Sequence, residues 1–175
     1  MLARYAKTSA TLVVVGKINA DHRYLVAGVE EYLKRLRPYV ECTVIEVPEC
    51  KQTGNLSDEQ IKAHEAPALI KYLQQAAYGI ALSEGGSHLS SEAFAHHLAN
   101  HHPAWNPLAT GGNPAGQGLV FVVGGSVGLH ASVLNQAHFV WSLSRLTFPH
   151  PMVRLLWAEQ LYRACRILNQ QPYHK

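Results

Sequence analysis

The sequence predicts an α/β domain in which helices cover both faces of a parallel β-sheet. Short apolar, β-branched runs alternate with longer segments of helical periodicity, so that strand and helix follow each other five times. The runs LVVV and LVFVV contain no polar residue, which is typical of strands buried on both faces. The length of 175 residues fits one domain, and we therefore assign residues 1–175 to a single domain.

The first strand, helix and second strand follow a short N-terminal extension. Residues 1–9 are basic but lack the apolar core of a secretory signal, and the run ATLVVVGK after them predicts a buried strand closed by Gly16. LVAGVEEYLKRLRPY has apolar residues one helical turn apart, and we expect this helix to end at Pro38. The run ECTVIEVPE predicts the second strand.

The second and third helices begin at residues that can cap them. Ser57 and Gln60 have the spacing of a capping box, and we expect the helix after them to bend or restart near Pro67. GIALSEGG predicts the third strand. In LSSEAFAHHLANHH either Ser90 or Ser91 can cap the third helix.

The last part of the chain is predicted to add two strands and two helices after a loop. Residues 101–118 are rich in Pro, Gly and Asn, which indicates a loop insertion. LVFVVGG is the strongest strand, LHASVLNQA a short helix, and FVWSLSRLTF a strand and loop. One long helix is expected from about Pro149 to Leu168, with an apolar stripe of Leu155, Ala158, Leu161 or Tyr162, Cys165 and Leu168.

Ligands of parallel sheets bind at the carboxyl ends of the strands. This rule singles out the loops after Leu82, Val123 and Leu143. In the second loop, VVGGSVGLH has the pattern G-G-x-x-G and not the G-x-G-x-x-G of dinucleotide sites, so it is either a ligand turn or only a tight connection. In the third, SLSRLTFPHPMVR offers backbone hydrogen-bonding groups and an apolar wall that suit an adenine ring, or it is only a rigid turn.

The composition gives two hints about partners. Only 15% of the residues are charged while 47% are hydrophobic, and we expect self-association to hide part of the apolar surface. From Trp141 to the end there are five basic residues and one acidic residue, whereas the preceding part carries ten and eleven. This local excess suits an anionic partner such as nucleic acid, or it is only a solvated helix face.

Cysteine and histidine usage argues against disulfides and metal sites. The three cysteines are odd in number and form no C-x-x-C pair, which predicts reduced thiols in a cytoplasmic protein. No apolar run approaches the roughly 20 residues of a membrane span. The histidine pairs at 96–97 and 101–102 have no carboxylate or cysteine at ligand spacing, and we predict no metal site.

Several motifs together resemble one known family. FVVGGSVGLH, SLSRLTFPHPMVRLLWAEQLYRACRI and the terminal PYHK are similar to the ribosomal RNA large-subunit methyltransferase H family of the SPOUT superfamily. VVVGK, EYLKRLRPY, IEVPE and LSSE occur in the same order, so the resemblance covers most of the chain. No one of these motifs would be specific alone, but LTFPH, EQLYRA and PYHK in combination are.

The resemblance implies a fold, a cofactor and partners. The fold would be an α/β knot, in which the C-terminal segment threads a loop as a trefoil. The cofactor would be S-adenosylmethionine. The protein would be a homodimer whose sites are completed by the neighbouring subunit, and the substrate would be N3 of a pseudouridine in the 23S rRNA of an assembled ribosome. The loop 101–118 is longer than the family needs, and it either reaches RNA, reaches the partner subunit or is inert.

The resemblance also implies roles for individual residues. His174 is our first candidate for the base that accepts or directs the N3 proton, although water is the alternative, and Tyr173 is expected to stack on or hydrogen-bond to the target base. Glu159 and Arg163 would organise the catalytic site. The expected cofactor contacts are Leu82, Gly125, Ser144, Arg145, Leu146, Thr147, Phe148 and Pro149. The expected RNA contacts are Arg154, Arg166 and Lys175.

Three other functions remain to be weighed against this one. A SPOUT methyltransferase could act on tRNA or another rRNA site, and the PYHK ending argues against that. A non-catalytic ribosome-associated factor of the same fold would not bind the cofactor. A nucleotide-binding dehydrogenase is disfavoured because G-x-G-x-x-G is missing.

Overall fold

A computed structural model describes residues 8–18, 20–51, 56–105 and 117–173. In these ranges five strands alternate with five helices, as predicted. The strands are β1 (Ser9–Val15), β2 (Glu41–Val47), β3 (Ala76–His88), β4 (Gln117–Val123) and β5 (Phe139–Ser142). The helices are α1 (Tyr24–Leu36), α2 (Asp58–Leu73), α3 (Ser91–His101), α4 (Ala131–Gln136) and α5 (His150–Leu168).

The five strands form one parallel sheet in the order β2-β1-β4-β3-β5. Strand β4 lies at its centre, where Phe121 pairs with Leu12 of β1 on one side and with Ile80 of β3 on the other. The predicted fold class is therefore confirmed. The threading of the C-terminal segment through a knot stays a prediction.

Helices cover both faces of the sheet and divide the core into two layers. Successive side chains of a strand point to opposite faces, so Leu12 and Val13 belong to different layers. Helices α1, α3 and α5 pack on the first face, with Trp157 of α5 fully buried there against the edge of the Phe121 ring. Helices α2 and α4 cover the second face. Because α5 contacts both α1 and α3, it is the middle helix of its layer.

The predicted helix starts are correct, but of the two alternatives at Pro67 the restart is wrong, while a bend stays a prediction. Ser57 and Gln60 form the capping box, with the Ser57 amide 2.8 Å from Gln60 Oε1. At α3 the cap is Ser90, whose hydroxyl accepts the Ala93 amide at 3.1 Å. Helix α2 runs on through Pro67 without restarting. The proline ring is on the exposed side of the helix, where water can satisfy the carbonyl that loses its amide partner.

The apolar stripe predicted for α5 coincides only in part with the buried face. Ala158, Leu161 and Cys165 are buried, whereas Leu155, Tyr162 and Leu168 are only half-buried. The buried residues are Arg154, Trp157, Ala158, Leu161, Ala164 and Cys165. A charged residue thus belongs to the buried face, which a hydrophobic pattern cannot reveal.

Part of the predicted loop insertion belongs to the core. His102 and Trp105 are 1% and 2% exposed, and β4 already begins at Gln117. Residues 106–116, on which the proposed contact with RNA or a partner subunit depends, lie outside the described residues. Of the predicted N-terminal extension, Thr8 is buried and Ser9 begins β1, while residues 1–7 also lie outside them.

Within the described ranges, none of the helices has both the length and the apolar character that crossing a bilayer requires.

We predict that the buried His102 makes the fold sensitive to acid. Burial lowers its pKa, and neither ring nitrogen has a hydrogen-bond partner among the described residues. As the pH falls, His102 is therefore protonated in the unfolded chain before it is protonated in the folded chain. The stability that comes from keeping His102 neutral is complete above the ordinary pKa of about 6.5 and is lost as the pH falls towards the lowered value.

The measurement is urea unfolding of the wild type and of His102→Leu at about pH 7.5 and about pH 5.5. Between the higher and the lower pH, the free energy of unfolding of the wild type should fall by up to about 1 kcal/mol more than that of the variant. His96→Leu is the control, because His96 is exposed on α3, the helix that ends just before His102. Equal losses in the wild type and His102→Leu would contradict the prediction.

Candidate functional site

A large concave region lies at the carboxyl edge of the sheet. A cavity of about 670 Å³ opens between the ends of β3 and β4 and the segment that leads into α5. Its walls come from three stretches, which are residues 82–85 after β3, residues 123–129 after β4, and residues 147–150 before α5. The three strand-end loops singled out in the sequence therefore meet at one place.

A smaller and more apolar cavity of about 90 Å³ adjoins the first one. The two share Leu82, Phe148 and Val153 among their lining residues. The smaller cavity extends under β5 and the loop after it, where its lining adds Trp141, Ser142, Leu143, Ser144 and Leu146. Together they form a site with a polar part and an apolar part.

Glycines shape the wall after β4. Gly128 has a φ of +87°, a left-handed conformation that favours glycine, and its amide donates to the Gly125 carbonyl at 3.1 Å. A Cβ on Gly124 would lie 2.4 Å from the Gly128 carbonyl oxygen, which no side chain can tolerate. The repeated glycines thus allow the chain to turn tightly and expose backbone groups to the cavity.

A buried carboxylate supports this turn from behind. The oxygens of Glu65 on α2 would lie 3.0 and 3.1 Å from a Cβ on Gly125. Glu65 is 5% exposed and accepts the Cys50 amide at 3.1 Å. Gly125 is therefore restricted on one side by a fixed neighbour and faces the cavity on the other.

The wall before α5 is held by local hydrogen bonds and by an ion pair between a buried arginine and an exposed glutamate. The Ser144 hydroxyl accepts the Leu146 amide at 2.9 Å, and the Ser142 hydroxyl donates to the Ser144 carbonyl at 2.9 Å. Arg154, which is 2% exposed, binds the carboxylate of Glu46 on β2 and donates to the Gly16 carbonyl after β1 at 2.6 Å. This contact ties the first turns of α5 to the carboxyl ends of two strands.

The structure brings together seven of the eight residues predicted to bind the cofactor. One or both cavities are lined by Leu82, Gly125, Ser144, Leu146, Thr147, Phe148 and Pro149. Arg145 is exposed and is not among the lining residues. The sequence reasoning missed Lys62, Glu84 and His150, which also line the larger cavity. The signal for His150 was its place as the last residue of the motif LTFPH.

His150 is a neutral lining residue. Burial and the nearby charge of Arg154 lower its pKa, although a hydrogen bond with the Gly124 backbone and the charge of Glu49 act in the opposite direction. An uncharged imidazole at this place leaves Lys62 and Glu84 as the charged side chains among the described lining residues.

The predicted catalytic residues form a separate cluster, away from the cavities. The Tyr173 hydroxyl donates to Glu159 Oε1 at 3.0 Å and lies 3.2 Å from the Tyr32 hydroxyl. The Arg163 guanidinium binds the same carboxylate oxygen at 2.6 and 3.0 Å. Glu159 is six residues beyond Val153, or roughly 9 Å along the axis of α5. Within the described chain, neither cavity is lined by Tyr32, Glu159, Arg163 or Tyr173.

The C-terminal tail folds back along α5. Gln170 has a φ of +53°, and there the chain reverses direction. The Gln171 side chain accepts a hydrogen bond from the Tyr39 hydroxyl at 2.5 Å, and Arg166 donates to the Pro172 carbonyl at 3.3 Å. The tail is thus attached up to Tyr173, while His174 and Lys175 lie outside the described residues.

Three of the basic side chains in the last fifth of the chain are engaged within the described structure, while Arg145 is exposed. Arg154 is buried and paired with Glu46, so the prediction that it contacts RNA is not supported by its position. Arg166 is half-buried and donates to Tyr39 and Pro172. Arg163 is paired with Glu159. Lys175, the third predicted RNA contact, lies outside the described residues.

The described residues contain no group of three or more His, Cys, Asp or Glu side chains arranged to hold a metal ion.

Comparison with known proteins gives one consistent match. The family model described as "Predicted SPOUT methyltransferase" matches residues 8–174. Proteins named ribosomal RNA large subunit methyltransferase H are similar over 94% of this chain and 98% of their own length. That of Carboxydothermus hydrogenoformans is 41% identical over 169 residues, that of Listeria monocytogenes EGD-e 42% over 167, and that of Clostridioides difficile 41% over 168.

A solved structure shares the fold at low sequence identity. A probable methylase family protein from Haemophilus influenzae Rd KW20 superimposes with a TM-score of 0.52 at 13% identity, over 95% of this chain and 70% of that one.

We predict that Glu46→Gln destabilises the protein by roughly 2 kcal/mol, because it leaves the buried Arg154 guanidinium without a counter-charge. The measurement is urea unfolding at neutral pH. The control is Glu31→Gln, which removes the exposed pair with Arg35 and should change stability little. If both variants lose the same small amount of stability, the Arg154–Glu46 pair does not hold α5 to the sheet.

Proposed function

This chain belongs to the SPOUT methyltransferase family, and from that premise we propose that it methylates N3 of a pseudouridine in the 23S rRNA of the assembled ribosome, with S-adenosylmethionine as methyl donor. Methyl transfer to large-subunit rRNA agrees with its relatives. The cofactor, the target base and the target atom are the finer part of the proposal.

The convergence of the three strand-end loops carries the proposal. A cavity of about 670 Å³ lies within the ~300–1,000 Å³ range of small-molecule sites. Leu82, Leu146 and Phe148 offer apolar walls for an adenine ring, and the turn after β4 offers backbone groups. Glu84 and Lys62 carry charges opposite to those of the amino and carboxylate groups at the methionine end. The lining residues therefore fit S-adenosylmethionine.

The reaction asks the protein mainly to hold and orient its ligands. Bound S-adenosylmethionine supplies an electrophilic methyl group on a positively charged sulfur. The methyl donor would be held by residues 82–85, 123–129 and 147–150, which also exclude water from the reacting atoms. The N3 proton of the base must leave around the time of transfer, and we assign His174 to accept or direct it, because histidine is the side-chain type whose unperturbed pKa of about 6.5 suits proton transfer near neutral pH.

A second subunit completes the site. In a single chain the tail cluster of Glu159, Arg163 and Tyr173 is displaced from the cavity, so residues on the tail of a neighbouring copy have to supply what is missing. Leu146 at the cavity rim is 71% exposed although it is apolar, which supports a partner surface there. The protein acts as a homodimer in the cytoplasm, and its C-terminal segment forms the trefoil knot.

The first test is mass mapping of large-subunit rRNA from a strain that lacks the protein. We expect one pseudouridine-containing fragment to lose one methyl group and to regain it when the wild-type chain is restored. Loss of a methyl group from tRNA or from another rRNA site would replace the proposed target. Unchanged RNA would favour a non-catalytic ribosome-associated factor of the same fold.

The second test is calorimetric titration of the purified protein with S-adenosylmethionine. We predict that Gly125→Ala binds it roughly tenfold more weakly, because the added methyl group meets the Glu65 carboxylate and pushes the turn into the cavity. Gly28→Ala on α1 is the control, since its added Cβ meets the Leu155 side chain at a similar distance of 3.1 Å while Gly28 lines neither cavity. If Gly125→Ala binds S-adenosylmethionine as tightly as the wild type does, the cofactor binds at a different place.

A further inference from the structure

We propose that Tyr32 of α1 is a positioning residue for the C-terminal tail, and that Tyr173 anchors the tail rather than acting on the target base. The inference rests on the proposed function, because the tail matters only if it serves a reaction. It departs from the role that the sequence suggested for Tyr173, and it gives α1 a part in the site.

The direction of the hydrogen bonds follows from the number of protons. The Tyr173 hydroxyl has one proton and donates it to Glu159 Oε1 at 3.0 Å. The Tyr32 hydroxyl, 3.2 Å from the Tyr173 oxygen, must therefore be the donor in that second contact. The result is a chain of hydrogen bonds from Tyr32 to Tyr173 to Glu159, whose carboxylate is also held by Arg163.

The ring of Tyr173 is held as well as its hydroxyl. The Arg163 guanidinium lies 4.8 Å from the ring centroid, and the Tyr162 ring meets it at 4.9 Å in an edge-on arrangement. We call Tyr32, Glu159, Tyr162 and Arg163 the tail socket. A side chain fixed at its hydroxyl and at its ring has no free group to offer a target base.

The acid–base chemistry of Tyr173 supports an anchor. Burial, and the hydrogen bond that its hydroxyl donates to Glu159, raise its pKa above the ordinary tyrosine value. The phenol is therefore neutral at physiological pH and is a poor candidate for the base that accepts the N3 proton.

A second attachment holds the tail at Gln171 and Pro172, so that the tail is ordered before any substrate binds. Tyr39, between α1 and β2, donates to the Gln171 side chain, and Arg166 donates to Tyr39 at 3.2 Å and to the Pro172 carbonyl. Contacts within the chain thus order residues 169–173 without help from a ligand. Consecutive Cα atoms are about 3.8 Å apart, so fixing Tyr173 also fixes the point from which residue 174 starts.

Tyr32→Phe tests the role of the hydroxyl alone. The ring stays to pack against Tyr162, at a centroid distance of 6.0 Å, while Tyr173 loses its donor. We expect kcat for methylation of ribosomal particles to fall roughly 5–10-fold, because the tail spends less time docked. The affinity for S-adenosylmethionine should stay unchanged, since Tyr32 is not among the cavity-lining residues.

The control is Tyr24→Phe, the same change on the same helix at a side chain that is 68% exposed. Amide hydrogen exchange of both variants is measured without substrate. In Tyr32→Phe, exchange should rise several-fold in residues 169–173 and nowhere else. The double variant Tyr32→Phe/Tyr173→Phe should be no slower in kcat than Tyr173→Phe, because the two hydroxyls act as one unit.

Three outcomes would overturn the inference. Unchanged exchange in the tail would show that Tyr32 does not hold it. Faster exchange throughout the chain would show a general structural role. Faster exchange confined to the tail with wild-type kcat would show that the docked tail does not position the reaction. Since the exchange measurement needs no substrate, failure of the proposed function in the wild type would be seen separately, as absent methylation.

Discussion

The contact of Arg154 with Glu46 and the Gly16 carbonyl is the constraint on which the site depends. It joins the start of α5 to the carboxyl ends of β1 and β2, strands that the chain completed more than a hundred residues earlier. Burying a guanidinium is costly unless its partners are in place, so the contact selects one position of the helix against the sheet. That position fixes Phe148, Pro149 and His150, which lie four to six residues before Arg154 and form one wall of the cavity.

Helix α5 connects the cavity proposed to bind the cofactor with the cluster that receives the C-terminal tail. Its first turns complete the cavity at the carboxyl edge of the sheet, and its middle carries Glu159 and Arg163, which receive the returning tail. The helix is rigid because it lies between α1 and α3 and buries Trp157 completely. A displacement of its start would therefore move both the cofactor wall and the tail socket. The distance between them in one chain is the physical reason for assigning the catalytic site to two subunits.

Local patterns in the sequence were enough for the secondary structure and for the position of the cavity. Apolar runs, the capping residue Ser57 and the glycines after β4 act through neighbours in the chain, and the rule for parallel sheets then placed three loops at one edge. Contacts between distant residues could not be predicted in this way. Three such contacts are the pairing of the buried Arg154 with Glu46, the core positions of His102 and Trp105, and the docking of Tyr173 against Tyr32. Each depends on partners that the pattern around the residue does not reveal.

The most direct test of the central claim is a crystal structure of the protein with S-adenosylmethionine bound. We predict that the ligand lies between Leu82, Gly125 and Phe148, with its adenine ring against the segment before α5. A ligand bound at a different surface, with these three residues left in contact with solvent, would contradict the assignment of the cavity and of the function built on it.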